Sequence, residues 1–177
     1  MPSYEEEISK LIEKVLNAIE TGKLKIGDKV YCTRILRYVT IVEFPKRERI
    51  EEYQKKMKVD KNTPFIGGDI KFKRRKKGNI ESTSISSIRV LQKKNFSVEF
   101  SISKEIFISS NFSHNIHKAK NEGMITERTS ESNHYKYTIY AETQNALYDV
   151  LSGDISLLEN LKWYKHQNRD KTEFKFI

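Results

Sequence analysis

"FSHNIHKAKNEGMITERTSESNHYKYTIYAETQNALYDVL", residues 112–151, changes its hydrophobic period twice. Phe112, Ile116 and Ala119 fall on one stripe of a helix, and Ser110 or Asn111 just before them can cap it. Gly123 stops that helix, and Met124-Ile125 return to the core. A polar tip follows at 128–133. Tyr135, Tyr137 and Ile139 then alternate on one face of a strand. Thr143 is a cap candidate for a second helix that turns Ala146, Leu147, Val150 and Leu151 inward. The stretch therefore spells helix, hairpin, helix.

Upstream, residues 104–125 are helical in at least their second half. "FSVEFSI", 96–102, alternates Phe96, Val98, Phe100 and Ile102 as a half-buried strand does. It is the third strand of an expected meander, after 69–75 and roughly 80–91. "KKGN", 76–79, is the first turn, because Gly and Asn tolerate positive φ. Residues 23–44 are rich in β-branched and aromatic residues and form one long or two short strands after a turn at Gly27-Asp28. Residues 46–58 return to helical spacing through Ile50, Tyr53 and Met57. Residues 3–21 make an amphipathic helix, with Ser3 and Glu6 in a capping-box pattern and Gly22 as the stop. The fold class is α+β: an N-terminal helix, a mainly antiparallel sheet with a basic hairpin, and a C-terminal helix–hairpin–helix unit. A soft boundary at 93–95 separates 1–95 from 96–177, or the two form one continuous domain.

"DIKFKRRKKGN", residues 69–79, holds the densest charge. Lys71, Lys73, Arg74, Arg75, Lys76 and Lys77 are six cations around Phe72. Ile70 and Phe72 on one face, with Lys71 and Lys73 on the other, make this an ordered hairpin rather than a loose tail. The chain of 177 residues carries a net charge of +9. Residues 46–78 hold 13 Lys or Arg against 5 Asp or Glu, whereas 1–22 carry a net −3. Such asymmetry points to an anionic partner: nucleic acid first, with DNA ahead of RNA, and an acidic protein or membrane surface second. Hydrophobic residues at 37% and 9 Phe, 9 Tyr and 1 Trp suffice for a core. One cysteine forms no internal disulfide, residues 4–7 read YEEE rather than a leader, and no apolar run approaches the ~18 residues of a membrane span. The expectation is a soluble, unsecreted protein with no membrane partner, cytoplasmic, or nuclear if eukaryotic, since "KRRK", 73–76, fits a loose import pattern. Nothing in the sequence sets the oligomeric state.

"KAKNEGMITER", 118–128, and "YKYTIYAETQNALYDVL", 135–151, resemble the end of the recognition helix, the wing and the next helix of winged helix-turn-helix domains. The resemblance covers about residues 110–152. It implies a DNA-facing helix surface comprising Asn111, Ser113, His114, Asn115, His117, Lys118 and Asn121, with Arg128 and Lys136 flanking the wing. In such a surface Asn reads adenine edges while Lys and Ser hold phosphates. The family has a further helix just before the recognition helix, and here only about 104–109 is available for it. A strand-rich variant, whose sheet displays its own basic ridge, fits the same residues.

Sharper chemistry has less behind it. His114 and His117 lie one turn apart, but two ligands make no zinc site unless His134 and His166 converge on them; no metal or cofactor is expected. Asp69-Ile70-Lys71 matches the acid-x-Lys of many metal-dependent nucleases, with Asp60 and Glu81 or Glu99 to complete a site; a match of three residues recurs by chance. "STS", 82–84, resembles the ADP-ribosyltransferase strand motif, yet the Glu-x-Glu that should follow is absent. Tyr31, Arg34, Arg37 and Tyr38 could stack single strands, although buried tyrosines of a sheet account for them better. The preferred expectation is a non-enzymatic nucleic-acid-binding protein on duplex DNA, a regulator or replication accessory. A nuclease using Asp69 and Lys71 is the first alternative, and a basic module docking an acidic or nucleic-acid-binding protein is the second.

Overall fold

The structure, a computed structural model, describes residues 4–59 and 70–175. Helices and antiparallel sheets alternate along it, and the chain is α+β. It divides into two units, Met1–Val90 and Leu91–Ile177, each with its own core.

In the first unit, α1 (Tyr4–Glu20) buries Ile12, Val15, Leu16 and Ala18. Gly22, at φ +76°, turns the chain out of the helix, and the Leu24 N–H donates to Ala18 O at 2.9 Å. The proposed cap Ser3 lies outside the described residues, as do Asp60, Gly67, Gly68 and Asp69. Residues 23–44 form two strands, β1 (Lys29–Cys32) and β2 (Arg37–Glu43), before α2 (Arg47–Val59). Ile50 of α2 packs on the core. β3 (Ile70–Lys73) and β4 (Ile80–Thr83) make the basic hairpin.

The expected single strand over 80–91 is corrected. The Ser84 hydroxyl accepts from the Ser86 N–H at 3.3 Å and caps a 3-10 turn, Ile85–Ser87. β5 (Ile88–Val90) follows, on the far edge of the sheet, whose order is β4-β3-β2-β1-β5. Five flat strands would place those edges about 19 Å apart, at ~4.8 Å per gap. The path from Thr83 to Ile88, mostly 3-10, spans only about 13 Å. The sheet must therefore roll toward a barrel. A hydrogen bond shows the closure: Arg34, just beyond β1, donates through Nε to Thr83 Oγ1 on β4 at 3.1 Å. Val30, Cys32, Val39, Ile41, Ile70, Phe72, Ile85 and Ile88 fill the inside, all at most 1% exposed.

The second unit centres on β6 (Phe96–Ser103). Ser103 caps α3 (Lys104–Ser109) by accepting from Ile106 N at 3.3 Å. Then come α4 (Ser113–Asn121), β7 (Ile125–Ser130), β8 (His134–Ala141) and α5 (Gln144–Leu151), with β9 (Glu159–Gln167) and β10 (Asp170–Phe174) closing the chain. The antiparallel order is β10-β9-β6-β8-β7. Val98, Phe100, Ile102, Tyr137, Ile139 and Trp163 share a core with Phe112, Ile116, Ala119, Leu147, Val150 and Leu151, so α4 and α5 cover the same face. Thr143 caps α5 as expected, accepting from Ala146 N at 3.2 Å. Ser110 and Asn111 do not cap α4, whose N-cap is Phe112 without a side-chain bond. Asn111 instead takes φ +59° in the turn between α3 and α4, and the Ser110 hydroxyl donates back to Ile106 O. Gln92 ties the end of α4 to the end of β8: its amide donates to Glu122 O and accepts from Glu142 N, at 2.8 and 2.9 Å.

Phe72 and Phe112 are each 0% exposed in separate cores. Truncating either to Ala removes about 3–5 kcal/mol of stability. Hydrogen exchange should then show lost protection in residues 29–59 and 70–90 for Phe72→Ala and in 96–174 for Phe112→Ala. Unchanged protection in either variant contradicts this assignment of cores.

Candidate nucleic-acid interface

The basic hairpin is ordered by its inward residues. Ile70 and Phe72, both 0% exposed, pin β3, and Lys71 faces out. Lys73 pairs with Ile80 across the hairpin, and Arg74, Arg75, Lys76 and Lys77 are exposed on the turn. The Gly78 N–H closes that turn onto Arg75 O at 2.9 Å. Neither Gly78 nor Asn79 takes a positive φ, contrary to expectation. Gly78 serves by its size: a Cβ there would stand 3.1 Å from Arg75 O.

Two of the six cations meet carboxylates. Arg74 holds Glu81 in a two-pronged bond, Nε to Oε2 at 2.6 Å and Nη2 to Oε1 at 2.9 Å. Hydrogen bonding from Arg74, with help from the Arg34 and Arg37 charges, holds the Glu81 carboxyl below the usual carboxylate range. Lys71 Nζ lies 3.4 Å from Glu43. Among the described residues no carboxylate pairs with Lys73, Arg75, Lys76 or Lys77.

The β1–β2 turn, 33–36, emerges at the same end of the rolled sheet as the β3–β4 turn, because the four strands run as a meander. It adds Arg34 and Arg37 to the basic end. It also carries Leu36 at φ +56° and 56% exposed. A left-handed conformation costs a side-chain-bearing residue about 1–2 kcal/mol, and Gly or Asn is the usual occupant. Tyr31 is 1% exposed and meets Tyr38 edge-on at 5.4 Å, so the two are packed sheet residues rather than an open stacking platform.

In the second unit the implied helix surface is only partly available. Asn111, His114, His117, Lys118 and Asn121 are exposed, and Ser113 is half-buried. Asn115 is engaged elsewhere, donating to Asp154 Oδ2 at 2.9 Å. Arg128 lies 4.5 Å over the Tyr135 ring and donates to the Tyr137 hydroxyl. Lys136, one register step away from those inward tyrosines, points to the opposite face and pairs with Glu131 at 3.2 Å. Arg128 and Lys136 thus leave the β7–β8 hairpin on different sides. Residues 1–90 hold 21 Lys or Arg against 13 Asp or Glu, a net +8; residues 91–177 hold 12 against 11, a net +1.

The histidines do not gather. His134 Nε2 is 2.8 Å from Glu159, and His166 Nε2 is 2.6 Å from the Ser97 hydroxyl. Burial, and then the Lys171 charge, push His166 below its ordinary pKa. Among the described residues no group of three or more His, Cys, Asp or Glu is placed to hold a metal ion. For the nuclease alternative, Asp69 lies outside the described residues. Glu81 faces the same side of the hairpin as Phe72, opposite to Lys71, and Glu99 is bound by Lys171 at 2.9 Å in the other unit. No described helix is long and apolar enough to cross a membrane. Compared with protein-family models, curated proteins and solved structures, the chain finds no match.

Arg34, Arg37, Glu43 and Glu81 were beyond the reach of the charge run itself, since their relation to it depends on register between strands. Because the folded-state pKa of Glu81 is depressed, the Arg74–Glu81 link is present above the unfolded value of ~4.3 and is lost as pH falls through the lower folded value. A carboxyl-carbon NMR titration should place the Glu81 midpoint below that of a free Glu in the native chain, and return it upward in Arg74→Ala. Equal midpoints in both would remove the pairing. Leu36→Gly, which relieves the left-handed strain, should leave the melting temperature unchanged or raise it; a drop would make Leu36 a packing residue.

Proposed function

We propose that this protein is a non-enzymatic nucleic-acid-binding protein whose first unit grips the backbone of duplex DNA. The observation that carries the reading is the presentation of Lys73 at the end of β3 and of Arg75, Lys76 and Lys77 on the turn that follows, with no carboxylate partner among the described residues. Like charges held this close repel one another. Phosphates relieve that repulsion and release their own counterions, so binding is favoured most at low salt. Lys71 and Arg74 join when their carboxylates yield. Leu36, exposed beside the arginines, offers an apolar contact to sugar or base edges.

The second unit is the candidate reader. The short α3, the turn at Asn111, α4 and the β7–β8 hairpin support the winged-helix resemblance by supplying the helix that precedes a recognition helix. On this reading His114, His117, Lys118 and Asn121 face the groove, and Asn115 holds the fold. A net charge of +1 leaves this unit little non-specific affinity of its own, so grip and reading are divided between the units. A nucleic-acid partner places the protein in the cytoplasm, or in the nucleus of a eukaryotic cell, where the buried Cys32 stays reduced.

Anisotropy titrations of a labelled duplex test the proposal. Four phosphate contacts give a slope of about −3.6 in log K against log salt, and affinity falls on the order of 100-fold between about 50 and 200 mM. The triple variant Arg75→Ala/Lys76→Ala/Lys77→Ala should flatten that slope by about 2.7. Lys118→Ala with Asn121→Ala should alter preference among duplex sequences and leave most of the slope in place. Absence of binding to any DNA or RNA at low salt defeats the proposal.

A further inference from the structure

Glu81 occupies an unusual position at the basic end of the first unit. Residues 29–42 and 70–90 contain ten Lys or Arg and a single acidic residue, Glu81. In register it is the partner of Phe72, so its side chain leaves β4 toward the inner face, at the end of the sheet where the two turns emerge. Arg74 grips it with both prongs, at 2.6 and 2.9 Å. Arg34 stands beside it on fixed supports, donating from Nε to Thr83 Oγ1 at 3.1 Å and from Nη2 to Ser82 O at 3.4 Å. Arg37 opens β2 at the same end, and its charge acts on Glu81 together with that of Arg34.

A guanidinium fork matches a carboxylate and a phosphate with the same geometry. A carboxylate resting in such a fork keeps it aimed while no ligand is present. The pair is partly exposed, with side chains 38% and 31% accessible, so exchanging one anion for another requires little opening. A backbone phosphodiester carries the same single charge as Glu81, but its two non-bridging oxygens point in tetrahedral directions, so Arg74 can fork one side while Arg34 and Arg37 approach from others.

The geometry points to a phosphate seat formed by Arg34, Arg37 and Arg74, which Glu81 occupies in the free protein and vacates when a nucleic-acid phosphate enters. The inference rests on the nucleic-acid reading above and adds to it a defined contact, two arginines outside the charge run, and a built-in competitor. Glu81 screens the strongest fork against weak polyanions, and only a ligand already held by Lys73, Arg75, Lys76 and Lys77 displaces it. The seat thereby favours a continuous phosphate backbone over an isolated phosphate.

The comparison that tests it is Glu81→Gln against Glu43→Gln. Each removes one negative charge next to a cation of the same hairpin, and each carboxylate is partly exposed, so both variants should melt as the native chain does. Glu81→Gln is expected to tighten duplex binding about 10-fold at fixed salt, and Glu43→Gln by no more than about threefold, the share due to net charge alone. Adding Arg74→Lys to Glu81→Gln should abolish most of the gain, because an ammonium cannot fork. Inorganic phosphate provides a second probe: in Glu81→Gln it should shift the Nε–H resonances of Arg34 and Arg74 at concentrations that leave the native chain unmoved. Equal tightening by the two glutamine variants, or weakening by Glu81→Gln, overturns the seat while leaving the nucleic-acid reading intact. If neither the native chain nor Glu81→Gln binds a polynucleotide at low salt, the reading itself fails, and absence of a phosphate shift removes the seat with it.

Discussion

Three residues of 3-10 helix, Ile85–Ser87, join strands that lie on opposite edges of one five-stranded sheet. A chain that short cannot cross a flat sheet, and most of what the first unit can do follows from the resulting roll. Closure brings Arg34, two residues past β1, onto β4, where it meets Thr83. Register with Phe72 sets Glu81 on the inner face, at the end where the meander puts the β1–β2 and β3–β4 turns. Ile85 is 0% exposed at the middle of the crossing, so the turn is fastened to the core it encloses. Six cations on an isolated two-stranded hairpin would fluctuate, because such a hairpin is marginally stable alone. Here they stand on a strand pinned by Ile70 and Phe72.

The second unit solves a different problem with the same number of paired strands. Its sheet stays open, with helices on one face only, and the other face must be made tolerable to water. Glu99, Thr138, Tyr140, Tyr164 and Lys171 lie there, and Lys171 ties two of them: it holds Glu99 at 2.9 Å and lies 4.1 Å from the Tyr164 ring. On the helix side Phe100, Phe107, Phe112, Tyr135 and Tyr137 pack ring against ring, and Arg128 and Lys104 close the cluster from outside at 4.5 and 5.2 Å from Tyr135. Four cations of this unit, Lys94, Lys104, Arg128 and Lys171, stand against aromatic rings. That is why cations which look like wing residues in the sequence are poor free donors in the structure.

What was legible followed periodicity. The amphipathic α1, the alternation in β6 and β8, and the stripe of Phe112, Ile116 and Ala119 stand where their spacing puts them, since burial on one face enforces one period. The break inside 80–91 was hidden because Ile85, Ile88 and Val90 continue an apolar rhythm through it; only the serines 82, 84, 86 and 87 hint at a capped turn. The β9–β10 hairpin was hidden by its turn residues. Asn168 and Arg169 both take positive φ, at 48° and 72°, and Arg is a rare occupant of such a position, so no Asn-Gly or Asp-Gly marked it. For the site, the charge run and its alternation were readable. The carboxylates that temper it and the arginines that extend it come from other strands, and no local pattern encodes a cross-strand register.

Under the proposed function, the distribution of charge between the units, +8 and +1, would separate two contributions that a single basic domain would merge. Backbone grip scales with the number of cations free to replace counterions, and these sit on the turn of the first unit. Base discrimination depends on a few directional donors and acceptors on a rigid element, and needs little net charge. On the proposed reading, a reader with net +1 held near DNA by a separate grip with net +8 would leave a wrong sequence quickly without leaving the polymer. On the same proposal, Glu81 inside the grip would lower non-specific affinity further, at the arginine fork it occupies. Of the six residues that first stand out as an excess of charge, the fold tempers two with carboxylates, Lys71 with Glu43 and Arg74 with Glu81, and among the described residues pairs none of the other four with a carboxylate.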